Sequence, residues 1–199
     1  MTESTLECWN ESLVPYSREI AKEIINEFDL VLSDARDERS LQTYLAANPS
    51  LLSPLVPPGG DYWCLDRPRL GSEYIPDFLL ASRTSVGIQW AMIELESPLE
   101  KPLTKSGVPA KKAAEGLRQI RDWRMWLREN IGYARTELGL KDIDAECLAY
   151  LIIGRRASLE PSQAKVYREL SSNSTIVMTY DRLKDSFGRN LVLSGEVDG

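Results

Sequence analysis

The sequence predicts an α/β fold, a mixed sheet flanked by helices behind an N-terminal helical lead-in, and three observations carry that reading. Ile20, Ile24, Phe28 and Val31 recur at helical spacing near the N-terminus. Short apolar runs bounded by turn residues then follow one another between Tyr62 and Leu95, the pattern of a meander of strands. Further apolar runs are reached only through helical segments over 110–130 and 161–170, the kind of connection that joins strands within a sheet covered by helices. With 199 residues, 43% of them apolar, the chain is long enough to bury such a core.

Residues 1–10 read as a loose terminus. The first helix is predicted over 17–32. A second covers 38–47, where Leu41 and Leu45 share a face and Asn48-Pro49 stops the helix. The turn-rich stretch 54–60 leads into strands over 62–70, 74–81 and 88–95. Gly71-Ser72 turns the first pair and 82–87 the second. Residues 98–109 form a loop with Ser106-Gly107 at its tip. The helix over 110–130 carries an apolar stripe of Gly116, Ile120, Trp123 and Leu127. The most apolar strand, 146–153, ends at Gly154. Pro161 opens a helix to 170, in the first turn, where its missing N–H costs little. A last strand over 175–180 and a short helix over 181–187 close the fold. The lead-in is assigned to 1–50 and the core to 51–199.

Composition narrows the chemistry. The chain has no histidine, which removes Ser-His-Asp and Cys-His catalysis, histidine bases and histidine-ligated metals. Cys8, Cys64 and Cys147 are far apart and form no CxxC pair, so they read as small buried thiols. No apolar run approaches the roughly 18 residues of a membrane span. Met1-Thr2-Glu3-Ser4 lacks the segments of a signal peptide, so the expected location is the cytoplasm. Net charge is −6, yet between Lys101 and Arg128 eight basic residues meet only two acids, Glu115 and Asp122. A local basic stretch in an acidic chain is compatible with a phosphodiester substrate.

The candidate site follows from spacing. Glu94 and Glu96 are two apart on a predicted strand and point to one face, away from Ile93 and Leu95. Asp77 follows Pro76 at the neighbouring run. Three carboxylates drawn from two adjacent strands would meet at one sheet edge, an oxygen-rich cluster suited to Mg²⁺ or Mn²⁺. Gln119 lies on the long helix, on one side with Trp123 and Trp126, and is placed to face the cluster. Arg121, Arg124 and Arg128 occupy a narrow arc of that helix and read either as a phosphate track or as a solvated face. Lys105, Lys111 and Lys112 follow the carboxylate strand, and Lys105 is the first choice for a lysine reaching into the site. Arg155 and Arg156, after Gly154, read as flanking the cleft or as surface residues.

The strings Gly-Ser-Glu-Tyr-Ile-Pro-Asp-Phe-Leu-Leu (71–80), Ile-Glu-Leu-Glu-Ser-Pro (93–98), Leu-Thr-Lys-Ser-Gly (103–107) and Leu-Arg-Gln-Ile-Arg-Asp-Trp (117–123) resemble the Shedu family, a PD-(D/E)XK-type nuclease module of prokaryotic anti-phage defence. The preceding Leu-Gln-Thr-Tyr-Leu-Ala-Ala-Asn-Pro (41–49) is similar to the family's helical lead-in. The resemblance implies metal-dependent cleavage of DNA by a homo-oligomer. By position it implies Asp77 and Glu94 as metal ligands, Gln119 as a helix-borne site residue, and Glu96 where relatives carry lysine. Two readings therefore stand: a Mg²⁺- or Mn²⁺-dependent endodeoxyribonuclease, or a catalytically silent nuclease-like module that binds nucleic acid or a protein partner.

Overall fold

In the computed structural model, which describes residues 18–59, 61–172 and 174–194, five strands form one mixed sheet. The expected loose terminus, 1–10, lies outside the described residues. The elements are α1 (Arg18–Asp34), α2 (Arg39–Ala47), a 3-10 segment (Pro49–Leu55), β1 (Tyr62–Asp66), β2 (Phe78–Thr84), β3 (Gly87–Leu95), α3 (Lys111–Thr136), β4 (Leu148–Ile152), α4 (Ala164–Glu169), β5 (Thr175–Met178) and α5 (Tyr180–Ser194). The strands lie in chain order, β1 through β5. The first three run antiparallel, and β4 and β5 join parallel to β3. The parallel joins are the ones made through α3 and α4, because a parallel partner has to be reached by a crossover.

Strand alternation divides the core in two. Phe78, Leu80, Ala91, Ile93, Tyr150 and Ile152 pack with α1, α2 and α5 residues such as Phe28, Leu41, Leu45 and Leu183. Leu79, Trp90, Met92, Ala149, Leu151 and Val177 pack under α3, against Ala113, Ile120, Trp123 and Leu127. The lead-in helices thus share a core with the sheet. Phe28, Leu41 and Leu45 are wholly buried, each contributing about 2 kcal/mol by removing apolar surface from water. Gly116 lets α3 approach the sheet closely: a Cβ there would sit 2.5 Å from Leu151 Cδ1.

Several boundaries differ from expectation. β1 stops at Asp66, where Arg67 takes a positive φ of 47° and Pro68 follows. Leu70 and Tyr74 form only an isolated bridge around Gly71-Ser72. β2 begins at Phe78 because Pro76 has no N–H to extend the ladder. α3 continues to Thr136 across a kink at Asn130 (φ −122°, ψ 23°). α5 is twice the expected length, since Leu183 and Phe187 face the shared core. Among the described residues no helix is long and apolar enough to cross a membrane.

Candidate active site

The C-terminal end of β3 gathers the acidic residues. Phe78 pairs with Ile93, so one further step places Asp77 opposite Glu94. Asp77 lies just outside β2 but is fixed there: its N–H donates to Ile93 O (3.1 Å), and its Oδ2 accepts from Leu95 N (2.8 Å). Met92 and Glu94 alternate with Ile93 and Leu95, which points Glu94 toward α3. There Gln119 Nε2 donates to Glu94 Oε1 at 2.6 Å. Glu96 follows on the same side, and Lys112 Nζ lies 3.4 Å from its Oε2. The backbone of Glu96 is held at both ends. Its N–H donates to Ile152 O (2.9 Å), and its carbonyl accepts the hydroxyl of the wholly buried Tyr180 (2.9 Å).

Burial dominates the electrostatics. Glu94 and Glu96 are only 7% and 5% exposed. Burial, and then the charges of Asp77 and Glu96, push the Glu94 carboxyl up to about 9, against a smaller lowering by Gln119. Burial raises Asp77 to about 6, although the Leu95 N–H and the Arg67 charge oppose it. Glu96 is also raised by burial, with Lys112 pulling the other way. Glu94 is buried and Asp77 half-buried, and among the described residues neither is in an ion pair; Arg67 acts on Asp77 only through its charge, and Lys112 pairs with Glu96 instead. The donor set, all oxygen and anionic when ionised, suits a hard divalent cation. Asp77, Glu94 and Glu96 are the residues that could hold one. Asp77 and Glu94 stand opposite each other in register and Glu96 pairs with Lys112, and among the described residues no three acidic or cysteine side chains are gathered closely enough to enclose an ion.

The other expected site residues separate. Lys105 is exposed on the hairpin closed by Leu103 and Pro109, and it makes no ion pair with the cluster. The lysine that touches a carboxylate of the cluster is Lys112, the second residue of α3, where the helix starts beside the strand end. Lys111 points outward to Glu115 (3.8 Å). Arg124 is a correction to the phosphate track. It is 7% exposed, and its guanidinium donates to Ala145 O (2.5 Å) and Ser174 O (2.8 Å). It closes the far end of the sheet, because α3 runs away from the site as it descends. Arg128 pairs with Glu146 at that same end, while Arg121 is exposed. Arg155 and Arg156 bind Asp181 and Asp185 of α5.

Two contributors were missed. Glu38, beside the start of α2, adds a negative charge felt by Asp77, Glu94 and Glu96. Tyr180 anchors the Glu96 carbonyl from α5. Neither lies in a motif, and only the packing of distant helices against the strand end brings them in. Cys64 and Cys147 are half-buried rather than fully buried; both are free thiols pushed up to about 12 by desolvation, and Cys8 lies outside the described residues.

No curated protein matches the chain. Residues 35–183 match the family model described as Shedu protein SduA, C-terminal. That span contains the whole five-stranded sheet, the Asp77–Glu94 pair and the α3 residues facing it, and it covers well over half of the sequence; the chain belongs to the Shedu family.

Proposed function

We propose that the chain is a Mg²⁺- or Mn²⁺-dependent DNA endonuclease acting in anti-phage defence. The defence role is supported by family membership. The observation that carries the nuclease reading is the Asp77–Glu94 pair, a half-buried carboxyl set opposite a buried one, with neither in an ion pair among the described residues. A folded chain keeps such a costly arrangement where a bound charge relieves it.

In this reading Asp77 and Glu94 hold the ion, and Gln119 fixes the Glu94 carboxylate through its 2.6 Å hydrogen bond. When bound, the metal supplies positive charge to the scissile phosphate and acidifies an attacking water. Glu96 either completes the ligand set or accepts the proton of that water. Lys112 places its ammonium beside Glu96, where it can meet a phosphate oxygen that enters over the start of α3. Tyr180 keeps Glu96 at a fixed height by holding its carbonyl.

Plasmid nicking with EDTA, Mg²⁺ or Mn²⁺ tests the proposal. Cleavage is expected only with metal, and Glu94→Ala should abolish it while leaving the protein folded. A second reading, a silent module that binds nucleic acid, is favoured by one observation: three ligands are not already gathered around a common point. DNA retention in a gel shift, without cleavage in any metal, would establish that reading instead.

A further inference from the structure

A second concavity opens on the same flank of α3. Gln119, Trp126 and Tyr133 follow one another at intervals of seven residues, so they share one stripe of the helix. Trp126 stands about 10 Å along the axis from Gln119. The cleft, about 750 Å³, lies between α3 and the segment joining β1 to β2. Arg69, Glu73, Trp126, Glu129, Asn130 and Tyr133 line it.

The aromatic corner is built in. Trp126 and Tyr133 meet edge to face, with ring centroids 6.3 Å apart and planes at 82°. Gly71, at φ +67°, lies against the indole, and a Cβ there would come within 3.0 Å of Trp126 Nε1. Asn130 kinks the helix and donates Nδ2 to Trp126 O (2.9 Å), which leaves its Oδ1 as an acceptor. Arg69, Glu73 and Glu129 are exposed and form no ion pair among the described residues.

We propose that this cleft binds a guanine base carrying a phosphate. A right-angled pair of rings gives a planar ligand one face to stack on and a wall beside it. The remaining lining is rich in acceptors, two carboxylates and an amide oxygen, with a single cation. Guanine alone among the DNA bases presents two adjacent N–H donors on its pairing edge, which match one carboxylate. Arg69 is the partner for the phosphate, which a guanidinium takes bidentately. An arginine side chain from a partner is also flat and rich in N–H groups, but Arg69 opposes it and the cleft is far larger than a guanidinium needs. The base can come from a free guanine nucleotide or from an unpaired guanine in a DNA strand. The inference does not depend on the nuclease reading.

Isothermal calorimetry on the intact chain tests it, using the four deoxynucleoside monophosphates and the oligonucleotides d(TTGTT) and d(TTATT). dGMP is expected to bind at least tenfold more tightly than the other three. Glu73→Gln with Glu129→Gln should remove that preference, and Arg69→Ala should weaken dGMP more than deoxyguanosine. These side chains are exposed, and an unchanged melting temperature confirms that the variants fold. d(TTGTT) binding tighter than dGMP assigns the site to a strand; the reverse assigns it to the free nucleotide. Equal affinity for all four nucleotides, no binding of any, or tighter binding of an arginine amide than of dGMP overturns the proposal.

Discussion

At Glu94, a carboxyl raised to about 9 keeps a proton in the folded chain that the unfolded chain releases above its ordinary value of 4.5. Within that window the native state binds more protons, so stability falls as pH rises. Asp77 acts with the same sign between 3.8 and about 6. In EDTA the melting temperature is expected to drop steadily toward about pH 9, and Glu94→Gln should flatten the drop; each 1 kcal/mol recovered corresponds to about 2–4 °C for a chain of this size. Scanning fluorimetry across pH checks this. Added Mg²⁺ should raise the melting temperature of the wild type most at high pH, and that of Glu94→Gln little. The acidic residues at β3 were legible because strand alternation fixes side-chain direction from spacing alone. Lys112 was not chosen over Lys105, because which lysine arrives depends on where α3 crosses the strand end.

α3 is the element on which sequence reading and structure diverge most usefully. Its apolar stripe was plain from Gly116, Ile120, Trp123 and Leu127, but Arg124 was grouped with its basic neighbours. Charge normally marks an exposed face, and only the carbonyls of Ala145 and Ser174, contributed by distant segments, make a buried guanidinium tolerable there. Arg124→Ala is expected to cost about 3 kcal/mol by leaving those carbonyls unpaired, measured by urea unfolding. Arg121→Ala should leave stability unchanged. Gly116→Val should cost about 1–3 kcal/mol, because the added methyls meet Leu151 and overpack the helix–sheet contact. The kink at Asn130 hid the last six residues of the helix, since a polar residue that caps helices elsewhere looks like an end. Pro76 and Pro68 similarly shortened strands whose apolar character ran past them.

Across the whole molecule, the fold class was readable because helix and strand periods alternate cleanly, whereas the shared core of α1, α2 and α5 was not. Helices at the two ends of the chain meet on one sheet face only after collapse. The net charge of −6 repels DNA at long range, so any binding has to come from local cations such as Lys111, Lys112 and Arg121. Affinity is therefore expected to fall steeply between about 50 and 200 mM salt, and Lys112→Ala should lower the slope of log K against log[salt] by about 1. Fluorescence anisotropy with labelled duplex measures both.

The tie between Tyr180 and the Glu96 carbonyl joins positions 84 residues apart. A ribosome delivers Glu96 first, and at about 5–20 residues per second the tyrosine emerges roughly 4–17 seconds later. Throughout that delay the nascent polypeptide carries its acidic strand without the hydroxyl brace that sets the Glu96 carbonyl in the folded state.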